Sequence, residues 1–594
     1  MSEAHTPQSF WRRYVFSTDH KTIGKQYLIT SFAMAVFGIS WSILIRLQLA
    51  WPDASWPLLG RLLPSLYEGG VLLPERYLSL VTMHGTIMIF FVISFALLSG
   101  FGNFIIPLQI GARDMAYPFL NMLSYWTVVP ACLLMLGSFL VEGGAAAGGW
   151  TAYPPLSALP EALPGSGLGQ TLWLLAMALF IVSFTMGSLN FVTTILNLRT
   201  RGMTMLRLPL TIWTLFIASI LGILAFPALT AAAIMLLLDR HGGTSFFLPE
   251  GLVLGGQLLA HEGGTPLLFQ HLFWFLGHPE VYVLALPAVG IAFDVVATFG
   301  RRPLFGYRTS VGSLIVIAAL SMIVWGHHMF TSGMNPYLAE YFTIATVAIT
   351  IPFAVLGLNL IASLWRAQIR LSSAMLFALA LIAAIGIGGL GGLWLGTATA
   401  DMYLHDSQFV VGHFHFMIGM VTGFGVFAAA YYWFPKMFGR HMNEALGKLH
   451  FWLTVAPVFF AFTAMHYLGL GGNLRRLYDP TAYDYALATQ GLRVAVSVAL
   501  FIAVVGQLIF LINFFWSLLR GRRATENPWE GATLEWTAAS PAPHLNWAEL
   551  PVVHRGPYEY RVDGAPDGYR PQTAPRAVAA EPRGPAEAPM GPAP

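Results

Sequence analysis

Residues 270–282 read Gln270-His271-Leu272-Phe273-Trp274-Phe275-Leu276-Gly277-His278-Pro279-Glu280-Val281-Tyr282, inside a long apolar run. Ionisable groups in such a run are costly to keep, which makes them functional candidates before anything else is known. On a helix His278 and Tyr282 stand four residues apart and can touch, whereas Glu280 lies on another face. One turn therefore offers a metal ligand, a proton and electron donor, and a proton carrier.

Working outward, the chain has 594 residues, 56% hydrophobic and only 10% charged, with a mean hydropathy of +0.64. That composition fits an all-α polytopic membrane protein and excludes an ordinary soluble domain. The net charge of +3 comes from residues gathered in short loops; no nucleic-acid motif accompanies it. Residues 1–25 are polar and mixed in charge, and read as a cytoplasmic segment without a cleavable signal peptide. The one cysteine, Cys132, lies in an apolar run. Disulfides and thiolate-rich centres within the chain are thereby excluded, and any transition metal must rest on histidine and oxygen.

At about 20 apolar residues per span, about twelve helices are expected. They centre near 26–47, 78–107, 119–141, 168–197, 207–237, 266–299, 309–333, 338–364, 373–399, 405–435, 449–470 and 490–519. The bundle thus occupies 26–520, and a Pro/Ala-rich tail, 521–594, follows as an irregular cytoplasmic segment. Loops after even spans are rich in arginine, among them Arg113, Arg199, Arg301, Arg366 and Arg520, and those after odd spans are poor in it. The positive-inside rule then puts both termini in the cytoplasm.

That orientation brings six histidines to one level. His84 lies in the second span, His278 in the sixth, His327 and His328 near the end of the seventh, and His413 and His415 in the tenth. At 1.5 Å per residue all six fall in the outer half of the bilayer, within a layer of about 10 Å. His413 and His415 project about 200° apart and cannot share an ion, but they can serve two planar cofactors on opposite sides of the tenth span. Haem iron takes axial histidine. His327 and His328 can share a small ion with His278, and imidazole-only coordination favours copper or zinc. A lone membrane histidine such as His84 or His466 is more often an interhelical hydrogen-bonder; it is the common depth that outweighs this plainer view.

With these residues in hand the chain closely resembles subunit I of the heme-copper oxidases, in the branch containing mitochondrial-type cytochrome c oxidase. The resemblance runs from Phe16-Ser17-Thr18-Asp19-His20-Lys21 through Arg475-Arg476. It implies that His84 and His415 are axial ligands of a low-spin haem, that His413 is the single ligand of a high-spin haem, and that His278, His327 and His328 hold copper B. Tyr282 then resembles the phenol joined covalently to His278. Arg46 resembles the residue facing a haem formyl, and Arg475 and Arg476 resemble partners of haem propionates. His405 and Asp406 resemble ligands of a magnesium ion shared with subunit II. Two haems, a type more than b, would serve a terminal oxidase that reduces dioxygen to water.

Asp114, Asn103, Asn121, Asn190 and Glu280 match the family's D pathway for substrate and pumped protons. The second pathway, named for its lysine, is absent: its lysine, threonine and serine positions are Leu356, Phe353 and Phe293. Protons for Tyr282 and the copper are therefore expected through the D pathway or another route. Relatives that reduce nitric oxide can also lack that pathway, which keeps nitric oxide reduction as an alternative, although they usually lack the tyrosine. A histidine-using transporter is the rival of another class. The positions where quinol oxidases of the family hold the quinol head are Phe37, Trp41, Arg76 and Ser79, which favours cytochrome c or a similar small donor. It would deliver electrons through a dinuclear copper site in a separate subunit II. A subunit III and a bacterial inner membrane complete the expectation.

Overall fold

The computed structural model describes residues 9–259, 261, 263–562, 565 and 568–575. The N-terminal and tail expectations fall partly outside these, at residues 1–8 and 576–594. Eleven helices are long and apolar enough to cross a membrane: His20–Ala50, Pro74–Ile110, Pro118–Leu140, Leu168–Asn197, Leu210–His241, Pro266–Gly300, Pro336–Leu364, Ser373–Leu395, Gln408–Phe438, Glu444–Leu470 and Gln490–Arg520. A twelfth, Tyr307–Ser321, is shorter. The first begins at His20, six residues before its apolar stretch, because the Asp19 carboxylate accepts from Lys21 N and Thr22 N at 2.9 and 3.1 Å.

Two spans form the middle of the bundle. In the second and sixth, 83% and 89% of the central window is buried, against 28% in the first and the twelfth. The sixth packs between the fifth and the tenth, and the first closes the bundle against the second and the twelfth. Small residues make the closest approaches: a Cβ on Gly425 of the tenth span would lie 2.4 Å from Ala288 Cβ of the sixth. The second span winds more widely, with π-type turns, over Ile87–Ile93 and Phe95–Gly102, and the tenth does so over His415–Met420. Such turns recur at functional sites.

The seventh span corrects the sequence reading. Expected as one helix over 309–333, it ends at Ser321 and resumes as a 3₁₀ segment, Trp325–Met329. Hydropathy does not register the break, because apolar residues continue through it. Tertiary contacts hold it instead. Gly326 sits so close to the Phe342 ring that a Cβ would lie 2.2 Å from it, and Trp325 Nε1 donates to His271 Nδ1 at 3.2 Å.

After Arg520 the described residues have little regular structure and are docked tightly on the bundle. Leu534, Glu535, Trp536, Val553 and Tyr560 are buried. Trp536 Nε1 donates to the Tyr432 hydroxyl at 2.8 Å, and Lys436 Nζ donates to Ala538 O at 2.5 Å. Gln109 Nε2 donates to both Asp294 Oδ2 (2.9 Å) and Glu535 Oε1 (3.1 Å), and the Tyr558 hydroxyl donates to Asp294. Composition missed this docking because its buried side chains are scattered among Pro, Ala and Gly, with no period to betray them.

Burial pushes the Glu535 carboxyl up to about 7. The folded form holds that proton more tightly than the unfolded form. This contribution is complete below the ordinary carboxyl range and fades as pH rises through about 7. Protease cleavage within 524–575 is therefore expected to quicken between about pH 6 and pH 8.5, and Glu535→Gln to flatten the rise. Trp536→Ala should weaken docking by about 3 kcal/mol and speed cleavage at every pH. An equal rate in wild type and both variants would show that these contacts do not hold the segment.

Candidate functional site

The site is built on the orientation of imidazoles. His84 Nδ1 donates to Gly38 O at 2.9 Å, His413 Nδ1 to Gly388 O at 2.9 Å and His415 Nδ1 to Val411 O at 2.9 Å, while His327 Nδ1 lies 2.9 Å from Thr346 Oγ1. A carbonyl can only accept, so in the three carbonyl-bonded rings the proton sits on Nδ1 and the Nε2 lone pair is left for a metal.

Two groups of rings result. His84 and His415 face each other across the second and tenth spans, with ring centres 6.5 Å apart and planes 18° from parallel. An imidazole nitrogen binds a metal at about 2.0 Å with its ring centre about 1.1 Å behind, so two axial rings on one iron would stand about 6.3 Å apart. The observed spacing fits. Arg46 lies within electrostatic reach of both rings, and His415 stacks on Phe462 of the eleventh span at 4.6 Å.

On the other side of the tenth span His413 turns toward the ninth. Gly391 and Gly392 make room for it: a Cβ on either would lie 3.1 Å from its ring. His278, His327 and His328 form the second group, with one ligating nitrogen from each within 4.8 Å of the others. His327 Nε2 and His328 Nε2 are 3.1 Å apart, a distance that suits one shared proton or one shared cation. His278 Nε2 is buried without a hydrogen-bond partner among the described residues. An orphaned donor or acceptor at this depth is expensive, and a small cation bound by the three rings removes the cost. Tyr282 lies beside His278, ring centres 5.2 Å apart.

The sequence reading missed the support for this group. Trp274 stacks on His328 at 3.8 Å and 9°, and its indole donates to the Tyr153 hydroxyl. The signal was present in the opening stretch, one helical turn before His278. His466, read as an interhelical hydrogen-bonder, instead bonds Phe462 O of its own helix at 2.8 Å.

Near the start of the tenth span Arg475 lies 5.5 Å over the ring of Phe414, the residue between the two tenth-span histidines, and 3.7 Å from Asp406. Burial pulls the Arg475 guanidinium down to about 10. Arg476 is close enough to Gly149 that a Cβ there would meet its Nη1 at 2.8 Å. His405 Nδ1 bonds Asp401 Oδ2 at 2.9 Å, a buried carboxylate that sequence reasoning passed over. Asp406 is 61% exposed and turned to Arg475, so this chain does not itself bring His405 and Asp406 together as a pair.

At the opposite end of the bundle Asn121 is fully buried, with both amide atoms unpartnered among the described residues, as is Asn103 Oδ1. Asn190 differs, because its amide clamps the backbone of Tyr117 at 2.9 and 3.1 Å. Nearby the Tyr27 hydroxyl lies 3.0 Å from Ser124 Oγ and 3.3 Å from Ser183 Oγ, a polar cluster not picked out from sequence. Both carboxyl oxygens of Glu280 are buried without a close hydrogen-bond partner among the described residues, with the Ser94 hydroxyl within interaction reach. Burial raises Asp114, in the loop after the second span, to about 7.

Comparison with known proteins gives the family of the chain. The family described as Cytochrome C and Quinol oxidase polypeptide I matches residues 22–498. The alternative cytochrome c oxidase subunit 1 of Bradyrhizobium diazoefficiens is 45% identical over 576 residues, covering 96% of this chain and 95% of that protein. The cytochrome c oxidase subunit 1 of Thermostichus vulcanus is 41% identical over 558 residues, covering 93% and 94%. A heme-copper terminal oxidase dimer solved by cryo-electron microscopy shares the fold, with a TM-score of 0.64 at 19% identity over 85% of this chain and 84% of that one. The chain therefore belongs to the heme-copper oxidase family as a subunit I, an oxidoreductase of the bacterial respiratory membrane that carries haem and copper and works with a subunit II.

Proposed function

We propose that this subunit reduces dioxygen to water with electrons from cytochrome c or a similar small donor, and pumps protons as it does so. The observation that carries the reading is the pairing of the tethered His84 and His415 rings on one side and the convergence of one ligating nitrogen each from His278, His327 and His328 on the other. His84 and His415 would hold a low-spin haem, His413 a high-spin haem, and His278, His327 and His328 copper B. When bound there, these groups supply the electrons for splitting dioxygen. The chain's own part is to fix the rings, exclude water and deliver protons. Tyr282, beside His278, would donate a proton and an electron. Arg46, Arg475 and Arg476 would hold the haem edges. His405, with Asp406 or Asp401 and a ligand from subunit II, would hold magnesium.

Proton supply through Asp114, Asn103, Asn121 and Glu280 is supported by the unpartnered amides and by a carboxyl at the mouth raised by burial to about 7, able to load and release near neutral pH. Asn190 would act by positioning the Tyr117 backbone beside that mouth. The alternative route is apolar. Leu356 and Phe293 are about 1% exposed, and Phe353 lies 6.4 Å from the Tyr282 ring. Three of the four quinol positions are likewise committed to packing: Trp41 stacks on Phe139 at 4.5 Å, Ser79 bonds Ala145 O at 2.9 Å and Arg76 bonds Gly143 O at 2.5 Å. The apolar plug also favours a second reading, nitric oxide reduction, which needs fewer protons. Consumption of oxygen against nitric oxide by the purified complex, with proton release recorded, decides between them.

His84→Ala is expected to remove one of two haems from the reduced-minus-oxidised spectrum, and His327→Ala to remove copper while both haems remain. Loss of both haems in the second variant, or of neither in the first, would overturn the assignment. Asp114→Asn should lower turnover at least about tenfold. Unchanged turnover and unchanged reduction of the high-spin haem would mean that a separate proton input exists.

A further inference from the structure

A cavity of about 330 Å³ opens where the tenth, eleventh and twelfth spans end against the docked C-terminal segment, and His441, Glu444, Trp516, Arg520, Arg522 and Trp529 line it. It lies far along the chain from the histidine groups, at the end of the bundle where arginines gather. Glu444 is already engaged, its Oε2 accepting from Ser373 N and Ser373 Oγ at 2.8 Å each. Neither Arg520 nor Arg522 makes an ion pair among the described residues. The Arg520 guanidinium rests over the Trp516 ring at 5.3 Å, and His441 meets Trp529 edge-on at 5.2 Å. The wall is thus net positive, with fork-shaped donors that match a phosphate.

What lies next to the cavity narrows the ligand. Leu508, Ile512, Trp516 and Arg520 recur every four residues and share one face of the twelfth span. Leu508, Ile512 and Trp516 are 53%, 56% and 51% exposed, so the stripe faces outward, apolar along its length with a guanidinium at its end. A free anion would use only the end of this stripe. A phospholipid would use all of it, laying an acyl chain along Leu508 and Ile512 and its glycerol beside the Trp516 indole, at the level where tryptophan ordinarily marks a membrane interface. Basic pockets between spans at a cytoplasmic surface hold anionic headgroups by the same physics.

We propose that this cavity binds the phosphate of an anionic phospholipid from the leaflet on this side of the membrane. The test uses the purified, delipidated oxidase complex and native mass spectrometry, with phosphatidylglycerol, phosphatidylcholine and inorganic phosphate added separately. Phosphatidylglycerol is expected to be retained, with retention falling at least about tenfold in Arg520→Gln/Arg522→Gln. The same fall is expected in Ile512→Glu, which leaves both arginines in place and blocks the acyl track. Arg523→Gln, outside the cavity, should retain the lipid, and oxygen turnover should be unchanged throughout. Equal retention of phosphatidylcholine, or full retention by both cavity variants, would overturn the proposal. Displacement of the lipid by inorganic phosphate, with Ile512→Glu behaving as wild type, would overturn it in favour of a free-anion site.

Discussion

The decision that governs this molecule is which nitrogen of each imidazole is committed to protein. At Gly38, Gly388 and Val411 a backbone carbonyl takes the Nδ1 proton, and the opposite nitrogen is left as a lone pair. The fold is arranged to make those carbonyls reachable. Two of the three belong to glycines at close helix contacts: a Cβ on Gly38 would lie 2.7 Å from Met88 Sδ, and one on Gly388 would lie 2.7 Å from Met417 Sδ. At Gly38 the methionine side chain can give way, but at Gly388 a larger residue would also meet Phe416 Cβ at 2.9 Å and push the ninth span from the tenth, loosening the His413 tether. Helix packing and ligand tautomer are therefore one constraint.

Much of this was legible in the sequence because a membrane leaves few options. Twenty apolar residues make a helix, and a histidine within one needs a reason. Eleven of the expected spans, and the projection of His413 toward the ninth span and of His415 toward His84, followed from rise and angle per residue. The break in the seventh span did not, since it depends on Gly326 meeting Phe342 and Trp325 meeting His271, contacts between residues on different helices. Trp274 and Asp401 were missed for a related reason. An aromatic in an apolar run and a carboxylate in a loop look ordinary until their partners, His328 and His405, are known.

Polar groups in the bundle are treated in two ways. Some are matched closely: Arg76 Nη1 with Gly143, Arg475 with Asp406, Trp274 with Tyr153. Others, among them Asn121 and Asn103 Oδ1, are buried without a hydrogen-bond partner among the described residues. Buried polar groups are ordinarily paired, and these exceptions are what support the proton route proposed above. Leu356 and Phe293, by contrast, are buried apolar side chains, which is why the proposed supply begins at Asp114.

The docked C-terminal segment bears on how the molecule is made. Asp294, deep in the sixth span, is satisfied partly by Tyr558, and Gln109 of the second span partly by Glu535. A ribosome that has threaded every helix into the bilayer has not yet released these partners. Until the final stretch emerges and folds back, the inserted bundle keeps a carboxylate and an amide short of bonds and an indole-sized gap beside Tyr432. A message truncated there would yield a chain that is anchored but recognisably unfinished, which gives membrane proteases a physical cue for removing it.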